Sequence, residues 1–488
     1  MKIDQMKKIK YILIGVLLMG VGFSSCELDD NINPKRATEV PVGTLFTAAQ
    51  QQFVAQYDNM SVNRNISRLL AQYWMETTYT NESRYDFQDR GIPDSFWGEM
   101  YRDVLMDLNE ASMIIDAAGY TGGLADIATN QKAIIEIMTV YTYAVLTETF
   151  GDVPYSEALV GLDNTLPKYD DAATIYADLF VRLDAALAMF VDEADSFGDS
   201  DLLFSGDIDK WKTLGNSLKL RMAMRMADVP SFDSKTKVEA AIASSNGIYS
   251  ANLEGAFFAY IGTDPYVNTI YQGYFIDNRS DYVPSNTLID IMNNLNDPRR
   301  ALWFTQVGGE YKGLTYGLTA GGAYASFSHF TPMFFEPTLE VVLADYSEME
   351  FFLAEAVERG YSVGGTAEEH YNKGVTASIL YYGGTVADAT AYLAQPSVAY
   401  STAAGTWKQK IGTQKWLAMY NRGVEGWAEW RRLDFPVLNV PEELNYGDIP
   451  VRYPYPYDEN DKNIDSYTAA AAAIGGDKAT TKLWFDVN

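Results

Sequence analysis

The strongest constraint on the fold is the stretch YSEMEFFLAEAVERGYSVGGTAEEHYNKGVTASILYYGG, which begins at Tyr346. Its apolar residues fall three or four positions apart, and the same spacing returns after a glycine-rich turn. The two sets are Tyr346, Met349, Leu353 and Val357, and then Ala367, Tyr371, Val375 and Ile379. This pattern predicts an antiparallel helix pair of about 35 residues, close to a tetratricopeptide repeat, which buries its apolar face by stacking on neighbouring pairs. We therefore expect several such pairs.

Helical spacing also dominates the first half of the chain. Two clear apolar stripes are Tyr176, Leu179, Leu183, Leu187 and Phe190, and Trp211, Leu214, Leu218, Met222 and Met226. Ser205 or Asp207 is placed to cap the start of the second helix. The sequence predicts a mostly α protein in which tetratricopeptide-like helix pairs form a scaffold.

The middle of the chain has a different texture. Between about residues 250 and 345, Gly, Tyr, Asn and Asp replace the helical stripes. The alternation in EYKGLTYG predicts short strands between long loops, and NDPRR predicts a turn after a helix. Loops on a rigid scaffold are common binding sites, so we expect an irregular, loop-rich ligand-binding half that contains these short strands.

The N-terminus is typical of an export signal. Lys2, Lys7, Lys8 and Lys10 precede an apolar run over residues 11–23, which is too short to span a membrane. Ser24 and Ser25 then lead into Cys26, the single cysteine of the chain. FSSC resembles the lipobox of bacterial lipoproteins, in which the cysteine carries the lipid and the peptide before it is removed. A cysteine near the signal by chance is the alternative.

These observations give a domain plan. The predicted parts are a signal peptide over 1–25, a lipid-anchored leash over 26–41 and a single domain over 42–488. Within that domain we expect helical scaffold over about 42–245 and 346–435, a loop-rich insert over about 250–345 and an irregular segment over about 436–488.

Charge and motifs exclude several classes of function. The formal net charge of −28 repels phosphate backbones, which argues against nucleic-acid binding. The sequence contains no HExxH, no Cys-x-x-Cys, no phosphate-binding glycine loop and no G-x-S-x-G elbow. His329 and His370 lack ligand-spaced partners, so surface or loop roles are favoured for both. We expect no cofactor and no catalytic residue.

Two acidic alternatives stay open. The 65 Asp and Glu residues do not exclude a glycosidase that uses two carboxylates, since such pairs are easily found by chance. Asp461, Asn463 and Asp465 alternate as in a calcium loop, but Ser466 and Ala472 stand where the glycine and the bidentate glutamate belong. A helix-capping acidic turn is favoured there, so we expect no metal site.

The cluster QYWMETTYTNESRYDF is the best candidate binding segment. Trp74 is predicted to end a helix begun near Val62, and a loop with Tyr79, Asn81, Glu82, Arg84 and Tyr85 is predicted to follow. A ring face stacks on a pyranose, while amide and guanidinium groups bind hydroxyl pairs or a carboxylate. The alternative makes Trp74 and Tyr85 core rings and Arg84 part of a structural ion pair, and the two interpretations are equally favoured.

A second aromatic group belongs to the core by its spacing. Trp416, Tyr420, Trp427 and Trp430 follow a helical repeat, which favours packing over a sugar cradle. Arg431 and Arg432 follow near the helix end, where positive charge meets the negative end of the dipole.

Eight segments in order resemble those of the SusD/RagB nutrient-binding outer-membrane lipoproteins, in particular the SusD-like branch. They are NINPKRAT, YWMETTYTNESRYDF, TETFGDVPYSEAL, GDIDKWKTLGNSLKLRMAMRMA, NDPRR, FFLAEAVERG leading into YNKGV, GVEGWAEWRRLDFPVL, and RYPYP with Glu459 and Asn463. The match covers the whole mature chain, and FGDVPY and EWRR are its most specific parts.

The resemblance implies a surface protein that captures oligosaccharides without turnover. Its partner would be a SusC-like TonB-dependent outer-membrane transporter, to which it delivers the ligand, and Cys26 would anchor it in outer-membrane lipid on the cell surface of a Gram-negative bacterium. Glu27, Asp29 and Asp30 look like the surface-export signal of such bacteria. Peptide ligands on the same fold, or a surface glycoside hydrolase, are the alternatives.

The resemblance also implies ligand-binding residues. The family's first loop points to Trp74, Tyr79 and Asn81, to which the residue chemistry adds Arg84. Further rings would come from the middle region, where Tyr282 and Tyr316, together with Trp303 and Tyr311, are available. Gly426 stands where relatives commonly have alanine, so its helix is expected to bend or to rely on its tryptophan contacts.

Overall fold

The computed structural model describes residues 40–444 and 446–487, so the predicted signal peptide, Cys26 and nearly all of the predicted leash lie outside the described residues. The first half of the described chain is helical. Its helices are α1 (Val42–Tyr57), α2 (Ser67–Leu70), α3 (Ile92–Glu99), α4 (Met106–Ala118), α5 (Gly123–Phe150), α6 (Ala172–Met189), α7 (Ile208–Arg225) and α8 (Ser234–Ala243). The predicted stripes of α6 and α7 are confirmed, and Asp207 caps α7 by accepting from the backbone N–H of Asp209 and Lys210.

The middle and end of the chain supply further helices. They are α9 (Thr269–Tyr271), α10 (Asn286–Asn294), α11 (Arg299–Trp303), α12 (Tyr346–Glu358), α13 (Ala367–Tyr381), α14 (Val386–Leu393), α15 (Trp407–Ala418), α16 (Gly423–Leu433), α17 (Tyr457–Lys462) and α18 (Ile464–Ala473). Successive helices pack as pairs, as in α5 with α6, α7 with α8, and α15 with α16. The mostly α, repeat-like fold class is confirmed.

The predicted helix pair is α12 and α13. A capping box at Thr366 begins α13, where Glu369 returns the hydrogen bond to the cap backbone. Gly374 lets the two helices approach closely, because a Cβ there would lie 3.0 Å from the Phe351 ring. Ser347 Oγ donates to the Gly374 carbonyl at 2.8 Å across the same contact.

A buried ion network joins the scaffold helices. Arg225 on α7 binds Glu148 of α5 at 3.0 Å and Glu425 of α16 at 2.5 Å, and it also contacts Glu429. Arg432 binds Glu355 of α12 and Glu429. These side chains are all buried, so each charge depends on its partners in other helices.

The two arginines at the end of α16 lie where they were predicted, whereas the prediction for His370 needs correction. Arg431 and Arg432 lie in the last turn of α16, but both are buried, and Arg431 donates to the carbonyls of Glu148 and Val451. Contacts with other parts of the chain therefore fix both arginines, in addition to any interaction with the helix dipole. His370 is also buried, and not at the surface, between Glu350 and the Gly364 carbonyl.

The aromatic residues of the 416–430 stretch pack in the core, as predicted. Trp416, Tyr420 and Trp427 are buried, while Trp430 is half-buried against the core. Gly426 has a packing reason: a Cβ there would lie 2.1 Å from the Tyr73 hydroxyl. That hydroxyl donates to the Trp416 carbonyl at 2.6 Å, so Gly426 makes room for a ring that joins α15 to α16.

The strands form three antiparallel pairs. They are β1 (Trp74–Glu76) with β5 (Tyr282–Pro284), β2 (Val153–Pro154) with β3 (Tyr169–Asp170), and β4 (Gly255–Phe258) with β6 (Val341–Asp345). The middle region therefore contains short strands, as expected. EYKGLTYG itself forms only isolated bridges, at Glu310 and Leu314, and Leu314 N–H donates to the carbonyl of Pro284 at the end of β5.

The acidic segment near the C-terminus is helical. Asp461 lies in α17 and Asp465 in α18, and the side chain of Asn463 between them donates to the Pro167 carbonyl at 2.9 Å. Ser466, which stands where a calcium loop would turn, lies in α18, so this geometry favours the acidic helical turn over the calcium loop.

The apolar helix α5 is the one described helix long and apolar enough to cross a membrane. Its apolar window is 94% buried inside the protein. Burial of this kind is typical of the central helix of a folded core.

Candidate functional site

The structure places the candidate binding segment at a strand and the loop that follows it. Trp74 belongs to β1, and not to a helix end, because it pairs with Pro284 of β5. The helix before it is the short α2, which ends at Leu70. The pairing across β1 and β5 brings Tyr282 beside Trp74, with 5.4 Å between the ring centroids.

Three of the predicted binding rings are buried. Trp74, Tyr282 and Tyr316 are at most 4% exposed. Trp74 Nε1 donates to the Tyr420 hydroxyl at 3.3 Å, and the Tyr316 hydroxyl donates to the Leu69 carbonyl at 2.6 Å. Their geometry matches the core alternative, because no ring face is open to a ligand.

Two other rings considered from the middle region also serve packing. Trp303 is fully buried and stacks on Tyr420 with ring centroids 4.2 Å apart. Tyr311 is half-buried under the Arg300 guanidinium, at 4.7 Å. Tyr85 and Phe87, the last rings of the candidate segment, are buried as well.

The exposed part of the candidate segment is the loop over residues 77–84, which we call the 77–84 loop. Tyr79 at its tip is 73% exposed and has a positive φ of 56°, a conformation that turns the chain back sharply. The Arg84 guanidinium donates to Asn81 Oδ1 at 2.7 Å and to Glu443 Oε2 at 2.9 Å. The loop thus presents a free ring beside a fixed amide and guanidinium.

Two neighbouring segments border the 77–84 loop. The Thr77 carbonyl accepts from Gly322 N–H at 3.0 Å, and Gly321 has φ +60° with no room for a Cβ beside that carbonyl. Thr77 N–H donates to the Asp281 carbonyl at 2.7 Å. Asp281 and the residues over 319–322 therefore lie against the loop.

The chain segments that contain these contacts also carry aromatic rings and charged side chains. Tyr324 stacks on His329 with centroids 3.9 Å apart, and Phe275 is largely exposed. Arg279 binds Asp281 at 2.7 Å, and this contact raises the pKa of the Arg279 guanidinium. His329 is therefore part of an aromatic surface, as a loop residue without metal-ligand partners.

The surface can bind sugars by its chemistry. Exposed rings offer faces for the C–H side of a pyranose, and the Asn81 amide with the Arg84 guanidinium offers donors for hydroxyl groups. Across residues 40–444 and 446–487, no three His, Cys, Asp or Glu side chains come together as a metal site. The arrangement is suited to recognition.

A cavity of about 500 Å³ lies elsewhere, and the sequence analysis did not find it. Its walls include Gln51 from α1, and Tyr260, Ile261 and Tyr266 from the loop after β4. Ile261 and Tyr266 are exposed, which is unusual for apolar side chains in a loop. The sequence signal was weak, since a single Tyr or Ile in a loop does not reveal a concave wall.

The model of the SusD-like family, described as starch-binding and associating with the outer membrane, matches residues 34–456. A solved chitin-binding protein is 29% identical, with a TM-score of 0.78, over 92% of this chain and 100% of its own. A chitin-binding SusD homolog from Flavobacterium johnsoniae is 25% identical, with a TM-score of 0.75, over 92% and 98%.

A third structure supports the fold alone. The SusD homolog from Bacteroides uniformis is 23% identical, with a TM-score of 0.76, over 91% of this chain and 99% of its own. Among curated proteins, none matches this sequence. A helical repeat scaffold with a loop-built recognition surface defines a class of binding protein. Because the family model covers most of its length, the chain belongs to the SusD-like family of outer-membrane-associated proteins.

Proposed function

We propose that this protein captures oligosaccharides at the cell surface through the 77–84 loop. The observation that carries the proposal is the exposed Tyr79 ring on the same loop as Asn81 and Arg84. Family membership supports carbohydrate binding, and two similar structures are named as chitin-binding. Those names favour glycans that carry N-acetyl groups as the first ligands to test.

The wider setting is part of the same proposal. Cys26 carries the lipid that anchors the protein in the outer membrane, and residues 26–41 link that anchor to the domain from residue 42 onward. A SusC-like TonB-dependent transporter receives the glycan. Cys26→Ala is expected to release the protein from membrane fractions, and unchanged fractionation of this variant would contradict the anchor.

Binding without hydrolysis fits the carboxylates near the loop. Glu76 and Glu82 are both buried at the base of the loop. Glycosidase pairs are about 5–9.5 Å apart and open to the substrate. Incubation with candidate glycans is therefore expected to release no shorter product, and steady release would favour the hydrolase alternative.

Calorimetric titration tests the site. Chitin and starch oligosaccharides are titrated into the wild type, Tyr79→Ala and Asn81→Ala, together with a peptide pool that tests the peptide alternative. We expect saturable glycan binding that both substitutions weaken. Tyr120→Ala is the matched control, because Tyr120 is an exposed ring at the end of a scaffold helix.

The cavity provides the competing location. Tyr266→Ala removes an exposed ring from its wall and leaves the 77–84 loop intact. If glycan binding falls in Tyr266→Ala and not in Tyr79→Ala, the binding site is the cavity and our assignment is wrong. Binding of peptides and not of glycans would favour the alternative ligand class.

A further inference from the structure

Two buried glutamates close the base of the 77–84 loop. Glu76 is the last residue of β1, and Glu82 follows Asn81 at the start of a 3-10 turn. Their side chains are 3% and 1% exposed, although the loop between them reaches solvent at Tyr79. The binding residues therefore lie on a short segment whose two ends are held by carboxyl groups.

Ser83 ties Glu76 to the far end of the loop. Its backbone N–H and its hydroxyl both donate to Glu76 Oε2, each at 2.9 Å. The backbone N–H of Glu76 lies 3.1 Å from Ser83 Oγ in return. These contacts use one carboxyl oxygen of Glu76 and leave the other for a different partner.

Glu82 has a satisfied oxygen and an unsatisfied one. Its Oε1 accepts from Arg90 Nε, and Arg90 also donates to Asn63 Oδ1 at 3.1 Å. Its Oε2 is buried and has no donor among the described residues. A buried acceptor without a partner is unfavourable, so we expect a neighbouring group to donate a proton to this oxygen.

The neighbouring carboxyl can supply that proton. Ser83, the residue after Glu82, holds Glu76 Oε2 at 2.9 Å, so both buried carboxyl groups lie at the base of the same loop, where two ionised carboxylates repel strongly. Within the described part of the chain, Arg90 forms an ion pair with Glu82, and Glu76 has no such pair. Burial, followed by the charge of Glu82, raises the pKa of the Glu76 carboxyl well above its ordinary range.

We propose that Glu76 and Glu82 are positioning residues of the glycan-binding loop, joined by a proton that Glu76 donates to Glu82 Oε2. The proposal rests on the proposed role of the loop in binding. While the proton is present, both ends of the loop are fixed and Tyr79 and Asn81 keep their arrangement. Loss of the proton places two carboxylates in contact, which separates the ends and lowers the affinity for glycan.

The titratable groups that surround Glu76 and Glu82 are two tyrosines and two arginine ion pairs. Tyr282 lies opposite Glu76 in the strand pair, and Tyr316 also faces it. Burial raises the pKa of both phenols, so they stay neutral up to pH 9. Arg90 forms its ion pair with Glu82, and the Arg279–Asp281 ion pair lies outside at the surface.

The sign of the pH effect follows from the raised pKa. An unfolded glutamate loses its proton near pH 4.3, whereas folded Glu76 keeps it to a higher pH. The stabilisation of the loop is complete below the unfolded pKa of about 4.3, and it falls as the pH rises through the folded pKa of Glu76. Glycan affinity is therefore expected to fall in the same direction.

Glu76→Gln tests the proton directly. Its amide donates permanently to Glu82 Oε2, and its carbonyl still accepts from Ser83. We expect the wild-type Kd to rise by about threefold or more from pH 5 to pH 9, a change of about 0.7 kcal/mol. Glu76→Gln is expected to bind as tightly as the wild type at pH 5 and to keep that affinity at pH 9.

The matched control is Glu110→Gln, which changes an exposed glutamate of α4 and is expected to keep the wild-type pH profile. If Glu76→Gln abolishes binding at pH 5, the pair acts as ions or as cation ligands and the proposal is wrong. A wild-type affinity that does not change with pH, or that changes equally in Glu76→Gln, also contradicts it.

Infrared difference spectroscopy gives a readout without glycan. The wild type at pH 7 is expected to show the band of a protonated carboxyl group that Glu76→Gln lacks. Absence of this band overturns the shared proton. If the band is present and no glycan binds, the proposed function fails while the proton assignment stands, so the two failures are distinguishable.

Discussion

Two arginine–glutamate pairs show how the scaffold and the binding surface differ. Arg432 and Glu355 join α16 to α12 with both side chains fully buried. Arg84 and Glu443 make the same chemical contact at the 77–84 loop, with 17% and 69% of their side chains exposed. A buried pair fixes two helices because neither charge has water as an alternative, whereas an exposed pair can exchange its partner for a ligand. The same residue types therefore serve stability in one region and, in the function that we propose, recognition in the other.

The largest effect is expected from breaking the scaffold network. Arg225→Met leaves Glu148, Glu425 and Glu429 buried with one cation fewer, which costs about 3–5 kcal/mol of unfolding free energy. Urea denaturation measures this change. The control is Arg102→Met, whose exposed pair with Asp103 is expected to contribute less than about 1 kcal/mol. If the two substitutions lower the unfolding free energy equally, buried and exposed ion pairs do not differ as we expect.

A smaller loss is expected from filling the space at Gly426. Gly426→Ala forces its Cβ against the Tyr73 hydroxyl, at a cost of about 1–3 kcal/mol. Adding Tyr73→Phe removes the clashing oxygen, so the double variant is expected to be more stable than the sum of the single changes predicts. Gly98→Ala is the control, since a Cβ there meets no atom within 4 Å. Strict additivity in the double variant would refute the packing explanation.

A pH-dependent effect is expected at His370. Burial lowers the pKa of His370. Its hydrogen bonds to Glu350 and to the Gly364 carbonyl raise the pKa by more than that, so the pKa lies above the ordinary value of 6.5. The associated stabilisation is complete below pH 6.5 and is lost as the pH rises through the folded pKa. An NMR titration of the ring measures the pKa, and Glu350→Gln is expected to lower it. A pKa below 6.5 in the wild type would contradict the ion pair.

The smallest effect on stability is expected at the loop. Arg84→Ala removes an exposed pair and changes the unfolding free energy by less than about 1 kcal/mol. The same substitution is expected to weaken glycan binding, because Asn81 loses the donor that orients its amide. Arg64→Ala, which breaks the part-exposed pair with Glu99, is the control for both measurements. A loss of stability larger than that of Arg225→Met would reverse the comparison.

Local patterns predicted much of the scaffold and only part of the site. Apolar spacing located α12 and α13 because a helix is defined by residues a few positions apart. Trp74 was misplaced because its strand partner, Pro284, lies about 200 residues away in the chain. The space for Tyr73 at Gly426 and the partners of Arg432 are equally non-local.

The exposed loop was easier to identify than the buried rings. Its polar residues, such as Asn81 and Arg84, indicated a loop directly from their types. Burial of Tyr282 and Tyr316 depends on how the middle region folds over β1, which spacing alone does not encode. The binding roles of Tyr79, Asn81 and Arg84 stay predictions.

The central claim is that the 77–84 loop binds glycan while the scaffold only supports it. Calorimetric titration of chitin oligosaccharides into the wild type and into Tyr79→Ala tests it most directly. The account predicts saturable binding by the wild type, a clear loss in Tyr79→Ala and the same unfolding free energy for both proteins. Wild-type affinity in Tyr79→Ala, or no glycan binding by the wild type, would contradict it.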